Sequence, residues 1–213
     1  MSGILDLLSS DLGKSIINGI SQQSGQSSDK TSSVLTMALP VLMGAMKRNA
    51  NTSEGADGLM GALAGKHDGS ILDNLDGLFD GGVDQSVIDD GGGILKHVLG
   101  GSENNVTNAL SQKSGIDTDN VMNILKVAAP LVMGYLGKQS KEQNISDTNG
   151  MGNLLGNLVG GGSAASSQQN MIESVLDGNN DGSILDDLAG MALNAGNSKK
   201  GGLGGLLGSF FGK

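Results

Sequence analysis

Residues 3–50 lie over residues 93–140 at a constant offset of 90 without a gap, and 14 of the 48 positions are identical. Chance pairing would leave about three identities at ordinary residue usage. Gly3-Ile4-Leu5 matches Gly93-Ile94-Leu95, and Ser21, Gln22, Ser24 and Gly25 match Ser111, Gln112, Ser114 and Gly115. Pro40 matches Pro130, and Met43-Gly44 matches Met133-Gly134. Past this block insertions separate the copies, but "GLMGAL" (58–63) still resembles "NLLGNL" (153–158), and "DGSILDNL" (68–75) resembles "DGSILDDL" (181–188). The chain therefore reads as a tandem duplication. A first helical repeat covers 1–80, a Gly/Asp-rich junction 81–92 and a second helical repeat 93–195. A Gly-rich joint and amphipathic C-terminal segment cover 196–213.

The repeated unit has helical spacing. Leu12, Ile16, Ile17 and Ile20 follow i, i+4, i+5, i+8, and Val121, Ile124, Leu125 and Ala128 follow i, i+3, i+4, i+7. No segment sustains a period of two, so the expected fold class is all-α and multihelical, with five to six short helices per copy. The chain has one Tyr, three Phe and no Trp, which leaves the core to Leu, Ile, Val, Met and Ala. Two such copies share a core or pack side by side. Asp29 and Asp119 precede the central apolar runs and are expected to cap them. Pro40 and Pro130 each kink one helix or begin a new one. Many of the 37 glycines fall at helix ends, and the "GG" and "GGG" clusters read as flexible joints.

The pattern "GIL … LSQKSG … APLVMGYLGK … DGSILDDLAGM" resembles a bacterial family of uncharacterised function that includes the YidB-like proteins. The resemblance covers most of the chain. It rests on Pro40 and Pro130 with the following "VLMGAM" and "LVMGYL", and on the two "DGSIL" stretches. It implies a compact multihelical fold and supplies no activity or catalytic residues.

Charge narrows the partners. Thirteen basic and 22 acidic residues leave a net charge of −9, with no basic stripe of the kind that holds nucleic acid. There is no Cys, hence no disulfide framework and no thiolate nucleophile. The N-terminal "MSGILDLLSSDLGKS" has neither a basic n-region nor a long apolar h-region, and the expected location is cytoplasmic. The longest apolar runs, 34–46 and 127–137, are too short to cross a bilayer.

One stretch suggests an ion. "DGNNDGSILDDL" places Asp177, Asn179, Asp181 and Ser183 at loop positions 1, 3, 5 and 7 of a calcium loop, with Gly182 at position 6. Position 12 is Leu188, which cannot ligate, so Asp187 or Asp186 would have to complete the set. The first copy has Ala64 and Lys66 in place of Asp177 and Asn179. What both copies keep is a capping box, Ser70 with Asp73 and Ser183 with Asp186. Calcium is thus a candidate ligand of the second copy alone, and no other cofactor is expected.

No catalytic sequence occurs: there is no G-x-S-x-G elbow and no Walker sequence. His67 and His97, the only imidazoles, read first as polar surface or capping residues and second as a metal-binding or proton-relaying pair. Leu203, Leu206, Leu207, Phe210 and Phe211 fall at i, i+3, i+4, i+7, i+8, an apolar helical stripe with Gly and Ser opposite. The stripe folds back on its own domain, anchors another subunit or a partner or, as the third reading, lies in a membrane interface. The expected function is non-enzymatic binding or assembly, with self-association through this C-terminal segment. The alternatives are a calcium-responsive module and an enzyme drawing carboxylates such as Asp73 and Asp186 from separate helices.

Overall fold

In the computed structural model, which describes residues 4–160, nine α-helices follow one another and no strand occurs among the described residues. They are α1 (Ile4–Ser9), α2 (Asp11–Ser24), α3 (Ser28–Asn49), α4 (Ser53–Ala64) and α5 (Leu75–Phe79). Then come α6 (Gln85–Leu99), α7 (Glu103–Ser114), α8 (Thr118–Glu142) and α9 (Thr148–Gly160). The fold is all-α, as expected.

Local chemistry sets most of the ends. Gly25 and Gly115 stop α2 and α7 in the left-handed region, each at φ 66°. An L-residue with a Cβ rarely holds that conformation, so glycine is the default there. The N-cap residues of the next helices come two residues later. Ser27 accepts the Lys30 N–H at 3.3 Å to open α3, and Asp117 accepts the Asn120 N–H at 2.9 Å to open α8. Asp29 and Asp119, the expected caps, lie instead inside the first turns, where their charge still suits the helix N-terminus.

Two further expectations change in the folded chain. Ser70 caps no helix: it begins a single 3₁₀ turn at Ser70–Leu72 whose N-cap residue is Gly69. Asp68 Oδ1 accepts the Ser70 N–H at 3.1 Å, and the real helix start comes later, where Asn74 Oδ1 accepts the Gly77 N–H at 3.1 Å to open α5. The loop is too tightly wound for the Ser70–Asp73 box to form. Pro40 and Pro130 lie inside continuous helices, α3 and α8.

The "GGG" of the junction is no joint, since Gly91, Gly92 and Gly93 belong to the single helix α6. A Cβ at Gly91 would overlap the Lys126 carbonyl on α8. Pro130 has no N–H to give that carbonyl, four residues earlier. The oxygen that Pro130 leaves without its helical donor is therefore met by the bare backbone of α6. Glycine is required here for close approach, which outweighs its helix-breaking cost.

The two long helices, α3 and α8, touch each other, and the shorter helices surround them. One hydrophobic cluster takes residues from both halves of the chain, among them Ile20, Leu35, Leu42 and Met46 with Leu95, Leu110, Ile124 and Leu136. The halves thus share one interior. α4 packs on α8 and α9, while α6 lies along α8 and touches α3.

Candidate functional site

α4 and α6 leave a groove between them of about 470 Å³, within the range of small-ligand sites. Gly58, Leu59 and Ala62 face it from α4, and Gly93, Ile94 and Val98 from α6. Met46 of α3 and Met133 of α8, which are buried core residues, form its floor. A Cβ at Gly58 or Gly93 would meet nothing within 4 Å, so the space at both walls is open. The methionines matter physically because an unbranched thioether adapts to irregular guests.

Polar groups are few and specifically placed. Asn49, the last residue of α3, donates from Nδ2 to the carbonyls of His97 (3.3 Å) and Val98 (3.2 Å). This ties one end of the groove to carbonyls at the C-terminal end of α6, which lack helical donors. His67, in the loop after α4, is 6 % exposed. The loop reaches the groove because it lies flat on α8, where a Cβ at Gly137 would overlap the His67 carbonyl.

The His67 imidazole Nε2 lies 3.6 Å from Asp90 Oδ2, beyond hydrogen-bond range, while Lys66 Nζ holds Asp90 Oδ1 at 2.7 Å. Burial pushes the His67 pKa below its ordinary value; Asp90 opposes that shift and Lys66 adds to it. His67 is therefore neutral at pH 7. Beside the groove, Lys141 and Ser70 hold the Asp68 carboxyl well below the usual carboxylate range, the Lys141 Nζ–Oδ2 distance being 2.8 Å.

His67 and His97, paired only as a secondary reading of the sequence, do line one groove together with Asp89 and Asp90. No group of three His, Cys, Asp or Glu side chains able to hold a metal occurs among the described residues. Asp73 is exposed and lines no part of the groove. Asp177, Asn179, Asp181, Ser183, Asp186 and Asp187 lie outside the described residues, as do Leu203, Leu206, Leu207, Phe210 and Phe211. Leu59, Ala62, Ile94, Val98 and Met133 were not singled out from sequence. For Leu59 and Ala62 the signal was the "GLMGAL" of α4, whose small residues lie at helical spacing, and Ile94 and Met133 stood out only as repeat matches.

Residues 6–139 and 142–213 match the family described as bacterial proteins of unknown function (DUF937). The chain belongs to this family. That meets the expectation of an uncharacterised bacterial family. No curated protein and no solved structure matches the chain. The DUF937 description names no reaction, so the chemistry has to come from the groove. Its lining has no Ser, Thr, Cys, Lys or Tyr. It combines an apolar trough with a neutral imidazole and two carboxylates along α6. That arrangement desolvates an apolar body and gives it a few polar contacts. Among the described residues no helix is long and apolar enough to cross a membrane.

Proposed function

We propose that this DUF937 chain is a non-enzymatic binding and assembly protein whose α4–α6 groove is the docking site for an apolar guest. The observation that carries the reading is the pair of open glycine positions, Gly58 on α4 and Gly93 on α6, in a lining that also holds the buried Met46 and Met133. Small residues on both walls let a guest approach the helix backbones, and the apolar floor rewards its desolvation at about 25 cal/mol per Å² of apolar surface removed from water. The lining has no hydroxyl, thiol or amine side chain for His67 to activate by taking its proton.

The test is titration of the full chain with the neutral fluorophore N-phenyl-naphthylamine. Saturable enhancement is expected, and the double variant Gly58→Leu/Gly93→Leu, which fills the groove from both walls, should weaken it at least tenfold. Equal binding by the filled variant would remove the groove as the docking site.

A further inference from the structure

We infer that the stripe of Leu203, Leu206, Leu207, Phe210 and Phe211 docks in the α4–α6 groove of its own chain, so that any outside guest must displace it. The inference rests on the groove being an apolar docking site, and four observations select this occupant.

The first is charge. All 22 acidic residues lie at or before Asp187, and the chain beyond carries only Lys199, Lys200 and Lys213 as charged side chains. The groove has the opposite balance: Asp89 and Asp90 line it and no Lys or Arg does, and with Lys66 holding Asp90 from outside the lining, Asp89 carries the net negative charge. A cationic apolar segment and an anionic apolar trough are complementary within one otherwise acidic molecule.

The second is reach. Forty-two residues separate Gly160 from Leu203. At about 3.3 Å per residue they extend far beyond the roughly 15 Å radius of gyration of a domain this size. The chain also leaves the described fold from α9, which packs on α4, a wall of the groove.

The third is sequence. Residues 201–213 lie over residues 2–14 with six identities in 13: Gly3 with Gly202, Leu7 with Leu206, Leu8 with Leu207, Ser10 with Ser209, Gly13 with Gly212 and Lys14 with Lys213. The earlier copy spans α1, which buries Ile4 and Leu7 against the fold, and the N-cap and first turn of α2. Leu203 and Leu206 stand at those two positions. The C-terminal segment thus repeats the apolar positions by which α1 packs on the fold.

The fourth is size. A groove of about 470 Å³ is about three times the roughly 150 Å³ left by truncating one buried leucine, which accommodates the central Leu206, Leu207 and Phe210. Docking from the same chain prevails over docking from a second copy because tethering sets an effective concentration near the millimolar range, above micromolar protein.

Two measurements on the full chain test this. The variant Leu206→Asp/Phe210→Asp should bind N-phenyl-naphthylamine at least tenfold more tightly than the parent, because the resident competitor is gone. The chain has no cysteine, so Gly58→Cys with Leu206→Cys forms the sole thiol pair. It should oxidise to an intrachain disulfide at least tenfold faster than Asn108→Cys with Leu206→Cys, Asn108 being exposed on α7. Unchanged probe affinity, equal oxidation rates or disulfide-linked dimers would each overturn the inference. The groove reading fails separately: it falls if Gly58→Leu/Gly93→Leu leaves probe binding intact, whatever the C-terminal segment does.

Discussion

Thr31, near the start of α3, has no exposed surface and no hydrogen-bond partner for Oγ1. Ninety residues on, the corresponding position is Val121, equally buried. Burying an unsatisfied hydroxyl costs about 1–3 kcal/mol. Thr31→Val should therefore raise the unfolding free energy by about 1 kcal/mol in urea titration, and a loss of stability would contradict the packing described.

His67 behaves differently. Its folded pKa is below the ordinary 6.5, so the unfolded chain binds the proton more tightly. Its contribution is complete above about pH 6.5 and declines as the pH falls from there toward the folded value. Asp68, also depressed, loses its share only at still lower pH, as it titrates below the ordinary 3.8. His67→Leu should flatten the stability profile just below pH 6.5 while leaving the more acidic limb; an unchanged slope would mean that the imidazole is not desolvated. From sequence His67 read as a surface residue. Its burial comes from Gly137, 70 residues away, which lets the loop settle onto α8.

At the scale of elements, apolar spacing and glycine stops revealed the helices themselves, because both are local properties of the chain. The role of an individual glycine was not legible. Gly91 and Gly93 are two residues apart in one helix with the same propensity penalty, yet a Cβ at the first overlaps the Lys126 carbonyl and a Cβ at the second meets open space. Gly91→Ala should cost about 1–3 kcal/mol through overpacking. Gly93→Ala should stabilise by about 0.5–1 kcal/mol through helix propensity. Chemical denaturation of the two variants separates the effects, and equal shifts would refute the close crossing of α6 over α8. Pro130 belongs to the same crossing, since by withholding its N–H it leaves the Lys126 oxygen facing α6.

For the whole molecule, the shared interior has a consequence for unfolding. Leu35, Leu42 and Met46 from the first half and Leu125, Leu131 and Leu136 from the second belong to one buried cluster, so neither half keeps its core when the other opens. Urea unfolding followed by Tyr135 fluorescence, the sole tyrosine and a residue of α8, should coincide with unfolding followed by far-UV circular dichroism. Separated midpoints would show that the halves unfold independently.

The linear chain by itself determined the helical class, the aliphatic core, most helix boundaries and the acidic balance, because side-chain periodicity, capping chemistry and charge act over a few residues. Only the tertiary structure decided that the triple glycine is a crossing point and that His67 and His97 border one groove. Those outcomes depend on backbones meeting across tens of residues, and distances between such segments are set by packing rather than by local preference.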